Sequence, residues 1–334
     1  MEMAHSGELR LFALDASKSF GAAVATALGR PLAPHIERDF EDGEHKARPL
    51  DGVRGDDVYV IQSLHGEPGE SGNDKLCRLL FFVGALKDAG AATVTAVVPY
   101  LAYSRKDRRT KPRDPVTTRY LAALFEAVGT DRTVTVDVHS VTAFQNAFRR
   151  PTVHLCAIPL LARYVADRLG NDPITVLSPD IGGVKRAAMF AEALERATGT
   201  AIATGFVEKF RSGGVVSGDL MAGEVAGRVV VIVDDMIATG TTILRAAKAC
   251  REQGAAAVHA VATHGLFVPP AGTVLADRAV DSVLVANTIP PFRLAGTPTE
   301  GKLDIVDVAP LLAKAIDRLH GGGSLVELAG GQAV

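Results

Sequence analysis

The sequence predicts an α/β fold of two similar units, each a mainly parallel sheet flanked by helices. Three observations carry that expectation. Apolar, β-branched runs such as Val229–Val233 (VVVIV) read as strands buried on both faces, which is how parallel strands read. Helical periodicities alternate with these runs, as in βαβ units. The rhythm of strand, helix, strand, basic or glycine-rich loop, strand, helix then recurs in the two halves, as a duplication would give. A length of 334 residues fits about two domains.

Composition narrows the class. With 47% hydrophobic and 22% charged residues, the chain has the balance of an ordinary globular enzyme. A formal net charge of -2 implies no general affinity for polyanions, so no nucleic-acid partner is expected. Cys77, Cys156 and Cys250 are far apart in sequence and make no metal or redox spacing, so they read as buried free thiols in a reducing compartment. The start, MEMAHSGELR, lacks the apolar core of a signal peptide, and no run approaches membrane-spanning length. A cytoplasmic protein without a membrane partner is expected.

In order along the chain, Leu9–Leu14 is a strand and Ser17–Leu28 a helix, with Ser17 as candidate N-cap and Gly29 and Pro31 closing it. Phe40-Glu41-Asp42-Gly43-Glu44 follows a weak strand, and its Asp-Gly marks a turn of the hairpin kind. Asp57–Gln62 is a strand, and residues 65–72 form a polar loop. Lys75–Ala89 is a helix with Leu76, Leu79, Leu80, Val83 and Leu86 on its apolar face and Gly90 as its cap. After the strand Ala92–Val98 comes the densest charge of the chain, Tyr103 to Arg109 (YSRKDRR). At the ligand edge of a sheet those cations suit a polyphosphate.

Thr117–Val128 is a helix, and the strand Thr133–Val138 ends at His139, whose neutral imidazole can ligate metal. Leu155–Leu169 reads as a helix and Ile174–Leu177 as a strand. The strand runs into Ser178-Pro179-Asp180-Ile181-Gly182-Gly183, where glycines allow close backbone approach by a ligand. Asp180 is also a candidate cap for the helix Val184–Thr198. Ala201–Phe206 is a strand, and Glu208–Gly218 (EKFRSGGVVSG) reads as a mobile loop carrying Lys209 and Arg211.

The stretch Arg228–Leu244 (RVVVIVDDMIATGTTIL) is the richest in chemistry. Its strand is read as ending in Asp234 and Asp235, after which Thr239-Gly240-Thr241-Thr242 opens the helix Ile243–Cys250. Such a turn offers N–H groups, hydroxyls and a helix dipole to a phosphate, beside two acids that face sugar hydroxyls or a metal. Ala256–Thr263 and Asp281–Asn287 are further strands, with His264 read as structural. Leu303–Val308 and Ala309–His320 are a final strand and helix, and a loose glycine-rich tail ends the chain. The expected domains are 1–150, joined by 303–320 packing back onto it, then 151–302, then the flexible tail 321–334.

From about Leu9 to His320 the chain resembles the ribose-phosphate pyrophosphokinases (PRPP synthetases). FxDGE at Phe40–Glu44, YSRKDRR, TVDVH, SPDxGG, EKFR and VDDMIATGTT occur in the family's order. The resemblance implies two phosphoribosyltransferase-like (Rossmann-like) domains. It implies transfer of the β,γ-diphosphoryl group of ATP, with Mg2+, to the 1-hydroxyl of ribose 5-phosphate, giving PRPP and AMP. It also implies a homo-oligomer, dimer or hexamer, in which FxDGE binds the adenine of ATP from a neighbouring subunit. ATP contacts then fall to Phe40, Asp42, Glu44, Arg105, Lys106, Asp107 and His139, and metal contacts to His139 and Asp180. Ribose 5-phosphate falls to Asp234, Asp235, Ala238, Thr239, Gly240, Thr241 and Thr242. Lys209 and Arg211 take the catalytic role of stabilising the charge in transit.

The departures are Lys106 for a usual Gln, Phe210 for an Arg, and Ala238 for an acid. The tail GGGSLVELA keeps Ser324 of the family's SVSxLF, with Val326 at the second serine and Ala329 for the phenylalanine, which implies weak phosphate regulation. Two other readings are a phosphoribosyltransferase that consumes PRPP and a catalytically weak regulatory subunit. FxDGE and the Lys/Arg loop argue against the first. Lys209, Arg211 and the acid pair argue against the second.

Overall fold

A computed structural model of the protein describes residues 7–170, 172–212 and 215–330; the side chains of residues 208–220 lie outside that description. The chain forms two compact units, Met1–Cys156 with Ala309–Val334, and Ala157–Val308.

The first unit runs β1 (Leu9–Ala13), α1 (Lys18–Leu28), β2 (His35–Asp39), β3 (His45–Pro49), β4 (Asp57–Ile61), α2 (Gly72–Asp88), β5 (Thr93–Val98), α3 (Thr117–Ala127), β6 (Arg132–Val136), α4 (Val141–Ala147) and β7 (Thr152–Leu155). Among the described residues its sheet has the order β1-β4-β5-β6-β7, parallel at every pairing. β2 and β3 form a separate antiparallel hairpin. Phe12, Val58, Val60, Val94, Ala96 and Val98 pack in one core with Leu79, Phe82 and Val83 of α2 and Leu121 and Phe125 of α3. Phe12 meets Phe82 edge-on at 5.3 Å between centroids. Burying each such ring contributes roughly 1.5–3 kcal/mol.

The second unit runs α5 (Ile158–Leu169), β8 (Ile174–Ser178), α6 (Val184–Thr198), β9 (Ala203–Ser212), β10 (Val215–Ala222), β11 (Val229–Ile237), α7 (Thr241–Glu252), β12 (Ala257–Gly265), α8 (Ala271–Val274), β13 (Ser282–Ala286) and β14 (Leu303–Val306). Its sheet has the order β10-β9-β8-β11-β12-β13-β14, parallel except for the β9–β10 pair. The helix α9 (Ala309–Gly321) returns to the first unit, where it packs along α1.

Several expectations need correction. Residues 208–212 and 215–218 are not a loop: their backbone pairs across β9 and β10, Phe206 opposite Ala222 through Ser212 opposite Val215. Glycine does not prevent antiparallel pairing, and a register shift between Val216 and Gly218 absorbs it. Lys209 and Arg211 are therefore strand positions by backbone, while their side chains lie outside the described residues.

The helix read from Leu155 begins at Ile158, because Leu155 closes a strand against β6 and Pro159 suits a first helical turn. β7 and α4 carry no strong periodicity in sequence. The segment 303–320 divides: its strand pairs with β13 in the second unit, and only its helix joins the first. Through residue 330 the tail is docked rather than loose. Leu328 is buried, its carbonyl accepts the Cys156 N–H at 2.8 Å, and Glu327 pairs with Arg318 at 2.8 Å. Ser17 stands at the start of α1 without capping it; its Oγ accepts the Ser63 N–H at 2.9 Å instead. Among the described residues no helix is long and apolar enough to cross a membrane.

Candidate active site

The acid pair lies within β11, not at its end. The strand continues through Ile237 because β12 pairs with it as far as Gly265. Pairing with β8 stops at Ile232, so Asp234 and Asp235 fall where β11 outruns its neighbour. Asp235 is buried, Asp234 is half-buried, and the Asp235 N–H donates to Asp234 Oδ1 at 2.8 Å. Burial first, and then the negative charge of Asp235, push the Asp234 carboxyl up to about 8; Arg186 opposes the shift.

Arg186, on α6, places Nη1 3.7 Å from Asp234 Oδ1 and 3.6 Å from Asp235 Oδ1. Sequence reasoning missed it, although it stands three residues after the SPDxGG segment. Arg245 on α7 was missed with no signal to find it; it donates to the Pro179 carbonyl at 3.0 Å, which ties α7 to the Asp180 turn.

After Ala238 and Thr239, Gly240 adopts φ 76°, and α7 starts at Thr241 without a side-chain cap. A Cβ at Gly240 would lie 2.8 Å from Leu275 Cγ. Glycine is thus required by both backbone and space. Thr239 and Thr241 share a hydroxyl contact at 2.9 Å, and Thr241 and Thr242 are exposed. The opening turn of α7 therefore leaves N–H groups and hydroxyls available to an anion.

Asp180 is exposed. Its Oδ1 accepts the Gly183 N–H at 3.1 Å, capping the short helical turn 181–183 rather than α6 itself. The Ser178 hydroxyl donates to the Asp180 carbonyl at 2.5 Å, and a Cβ on Gly183 would come within 2.5 Å of that hydroxyl. His264 is buried, with Nδ1 2.8 Å from Thr288 Oγ1.

In the first unit, Phe40, Asp42 and Glu44 form the tip of the β2–β3 hairpin. Phe40 N–H donates to Glu44 O at 2.8 Å, Gly43 takes φ 89°, and Asp42 Oδ1 accepts the Glu44 N–H at 3.1 Å. The Arg38 guanidinium stacks over the Phe40 ring at 5.1 Å. Asp42 and Glu44 are exposed, so the tip presents an aromatic ring and two acids.

The basic loop follows β5 and turns at Tyr103, whose φ is 62°. Thr118 Oγ1 donates to the carbonyls of Tyr103 at 3.2 Å and Lys106 at 3.3 Å, fixing the loop on α3. Arg105, Arg108 and Arg109 are exposed and Asp107 is half-buried. Lys106 is engaged: its Nζ lies 2.6 Å from Asp114 Oδ2 and 3.0 Å from Thr110 Oγ1. That bond, with others from the Thr110 hydroxyl and the Thr110 and Lys111 N–H groups, holds the Asp114 carboxyl well below the usual carboxylate range. His139 is exposed beyond β6.

Comparison with known proteins covers nearly the whole chain. A family model described as the N-terminal domain of ribose phosphate pyrophosphokinase matches residues 9–129, and one described as a phosphoribosyl synthetase-associated domain matches residues 219–329. The ribose-phosphate pyrophosphokinase of Caldanaerobacter subterraneus subsp. tengcongensis is 36% identical over 328 residues, 97% of this chain and 98% of that protein. A ribose-phosphate pyrophosphokinase of Nostoc sp. is 38% identical over 313 residues, 93% and 91% of the two chains. The crystal structure of phosphoribosylpyrophosphate synthetase from Mycobacterium smegmatis matches with a TM-score of 0.85 at 35% identity, covering 95% of this chain and 100% of that one.

Proposed function

We propose the following activity for this chain, which belongs to the ribose-phosphate pyrophosphokinase family: transfer of the β,γ-diphosphoryl group of ATP to the 1-hydroxyl of ribose 5-phosphate, releasing PRPP and AMP. The observation that carries the reading is the extent of the likeness, 97% of this chain and 98% of a named pyrophosphokinase, which includes both the β2–β3 hairpin and the β11–α7 junction. A transferase that only consumes PRPP has no use for the hairpin.

The residues divide the work by chemistry. The open turn of α7, Ala238 to Thr242, binds the 5-phosphate through N–H groups and hydroxyls. Asp234 and Asp235 accept from the ribose hydroxyls, and Arg186 limits the proton uptake that burial and crowding promote at Asp234. Phe40 stacks on adenine, with Asp42 and Glu44 beside it, across a homo-oligomer contact. Arg105 binds the polyphosphate, while Lys106 shares its charge between phosphate and Asp114; Asp107 and His139 complete that side. Lys209 and Arg211 stabilise the charge that builds up on the migrating group, where positioning and electrostatics supply most of the rate.

The donor set suits magnesium. Two adjacent carboxylates, Asp234 and Asp235, with the Arg186 guanidinium beside them favour a hard divalent ion with oxygen ligands. Asp180, with one oxygen uncommitted among the described residues, would hold such an ion beside the ribose phosphate, and His139 the ion carried by ATP. Bound magnesium supplies neutralisation of phosphate charge. A cytoplasmic location follows from the substrates.

The test is incubation of the purified protein with ribose 5-phosphate and MgATP, with products read by phosphorus NMR. PRPP and AMP are expected. ADP with a ribose bisphosphate overturns the site of attack. No turnover alone, together with copurification of an active homologue, identifies a regulatory subunit instead.

A further inference from the structure

The first unit holds a second constellation that neither sugar nor nucleotide chemistry uses. His35 and Glu37 are two residues apart on β2, so the strand's period of two puts both side chains on one face. The turn after β1 brings Asp15 alongside, and one potential ligand atom from each of Asp15, His35 and Glu37 lies within 4.8 Å of the other two. His35 Nε2 stands 3.0 Å from Glu37 Oε1. That is a hydrogen-bond distance, and two donors on one tetrahedral ion at about 2.0–2.2 Å each stand about 3.3–3.6 Å apart, so an ion displaces this bond by opening the pair a few tenths of an ångström.

The surroundings are those of a built site. The side chains of His35 and Glu37 are only 9% and 5% exposed. Phe12 and Phe82 hold the imidazole, with centroids 6.2 and 5.5 Å away. Glu37 is oriented through both oxygens: Arg78 Nη1 lies 3.3 Å from Oε2, and the Asp15 main-chain N–H donates at 2.5 Å to Oε1, the oxygen that also faces His35. Outer partners of this kind fix a ligating carboxylate. Asp15 is exposed and can swing its carboxylate to the open side.

We propose that Asp15, His35 and Glu37 bind one divalent transition ion, zinc fitting best, which ties the β1–α1 turn to the base of the β2–β3 hairpin. One imidazole with two carboxylates is a borderline donor set, better matched to zinc than to magnesium, which prefers oxygen ligands and retained water. The nearby Arg78 charge opposes the ion and weakens its binding. The site is independent of the proposed reaction.

The experiment uses the full chain, stripped with a chelator and titrated calorimetrically with zinc chloride in the presence of millimolar magnesium. One equivalent is expected to bind, with at least tenfold weaker binding in both His35→Ala and Asp15→Ala. Zinc raises the Tm of the parent but not of Asp15→Ala, an exposed change that leaves the zinc-free Tm unaltered. The cobalt-loaded parent shows visible absorption that both variants lose. Cys77→Ser binds zinc as the parent does. Absence of binding by the parent, equal affinity in Asp15→Ala, or loss of binding in Cys77→Ser overturns the proposal.

Discussion

The two units repeat one order of elements but finish corresponding helices differently. In the first, β1 is followed by α1, the β2–β3 hairpin, β4 and α2; in the second, β8 is followed by α6, the β9–β10 hairpin, β11 and α7. The connection from β4 to α2 spans residues 62–71 and ends in a capping box. Ser71 accepts the N–H groups of Asn73 and Asp74, and Asp74 returns the bond to the Ser71 N–H. The connection from β11 to α7 spans only residues 238–240 and ends in a left-handed glycine with no side-chain cap. One helix N-terminus is closed by its own side chains, and the other is left open for an outside anion. The hairpins differ too: β2–β3 stands apart as its own sheet, whereas β9 joins β8 in the main sheet. Under the proposed function only the second unit's helix start takes a phosphate: it lacks the side-chain cap of its counterpart and follows a strand that carries two acids.

The sharpest test removes those acids. Asp234→Ala with Asp235→Ala is expected to lower kcat/KM for ribose 5-phosphate by at least about 10³-fold, with circular dichroism unchanged. Loss of the folded spectrum would make the pair structural. Lys209→Ala and Arg211→Ala are each expected to lower kcat by roughly 10²-fold. A raised KM with unchanged kcat would make these residues ground-state binders.

The open helix end can be broken directly. Gly240→Ala forces a Cβ onto φ 76° and against Leu275, a cost of about 1–2 kcal/mol. Drawn from phosphate binding, that is roughly a tenfold rise in the KM for ribose 5-phosphate. Ser71→Ala, at the capped counterpart, is expected to cost about 1 kcal/mol of stability with no change in that KM. Equal effects on KM at the two positions would remove the distinction between them.

The acid pair also sets a pH dependence. Asp234 is raised from 3.8 to about 8 in the folded, ligand-free protein. The folded state therefore holds a proton that the unfolded chain has released between those values. Its contribution to stability is full below pH about 4 and is lost as pH rises through about 8. Asp234→Asn removes this slope, so the Tm of the variant relative to the parent is expected to climb by a few degrees over that interval. A constant difference would show that Asp234 is ionised in the fold.

The smallest expected effect is regulatory. Val326 and Ala329 replace a hydroxyl and an aromatic of the family's SVSxLF ending, and Val326 is 50% exposed with nothing to offer a phosphate. Initial rates are expected to change little with phosphate, and saturating ATP to relieve all inhibition by ADP. Sigmoidal phosphate activation would show that other residues have rebuilt the site.

What the sequence alone determined follows from local periods and local chemistry. Buried parallel strands read as unbroken β-branched runs, α2 announces itself through Leu76, Leu79, Leu80, Val83 and Leu86, and the Asp-Gly tip of the β2–β3 hairpin is written in Phe40–Glu44. The acid pair followed by Thr-Gly-Thr-Thr is equally local. Tertiary structure decided the rest, because pairing partners far apart in the chain leave no periodic mark. Residues 208–212 and 215–218 become strand only through their own fold-back, β14 joins β13 while the helix just after it leaves for the other unit, and the tail is held by Cys156 from the far side of the sequence. Arg186 reaches the acids from a different helix, and the lift of the Asp234 carboxyl depends on burial that no neighbouring residue type reveals. Sequence names the groups; the fold sets their distances and dielectric surroundings, and those govern their charge.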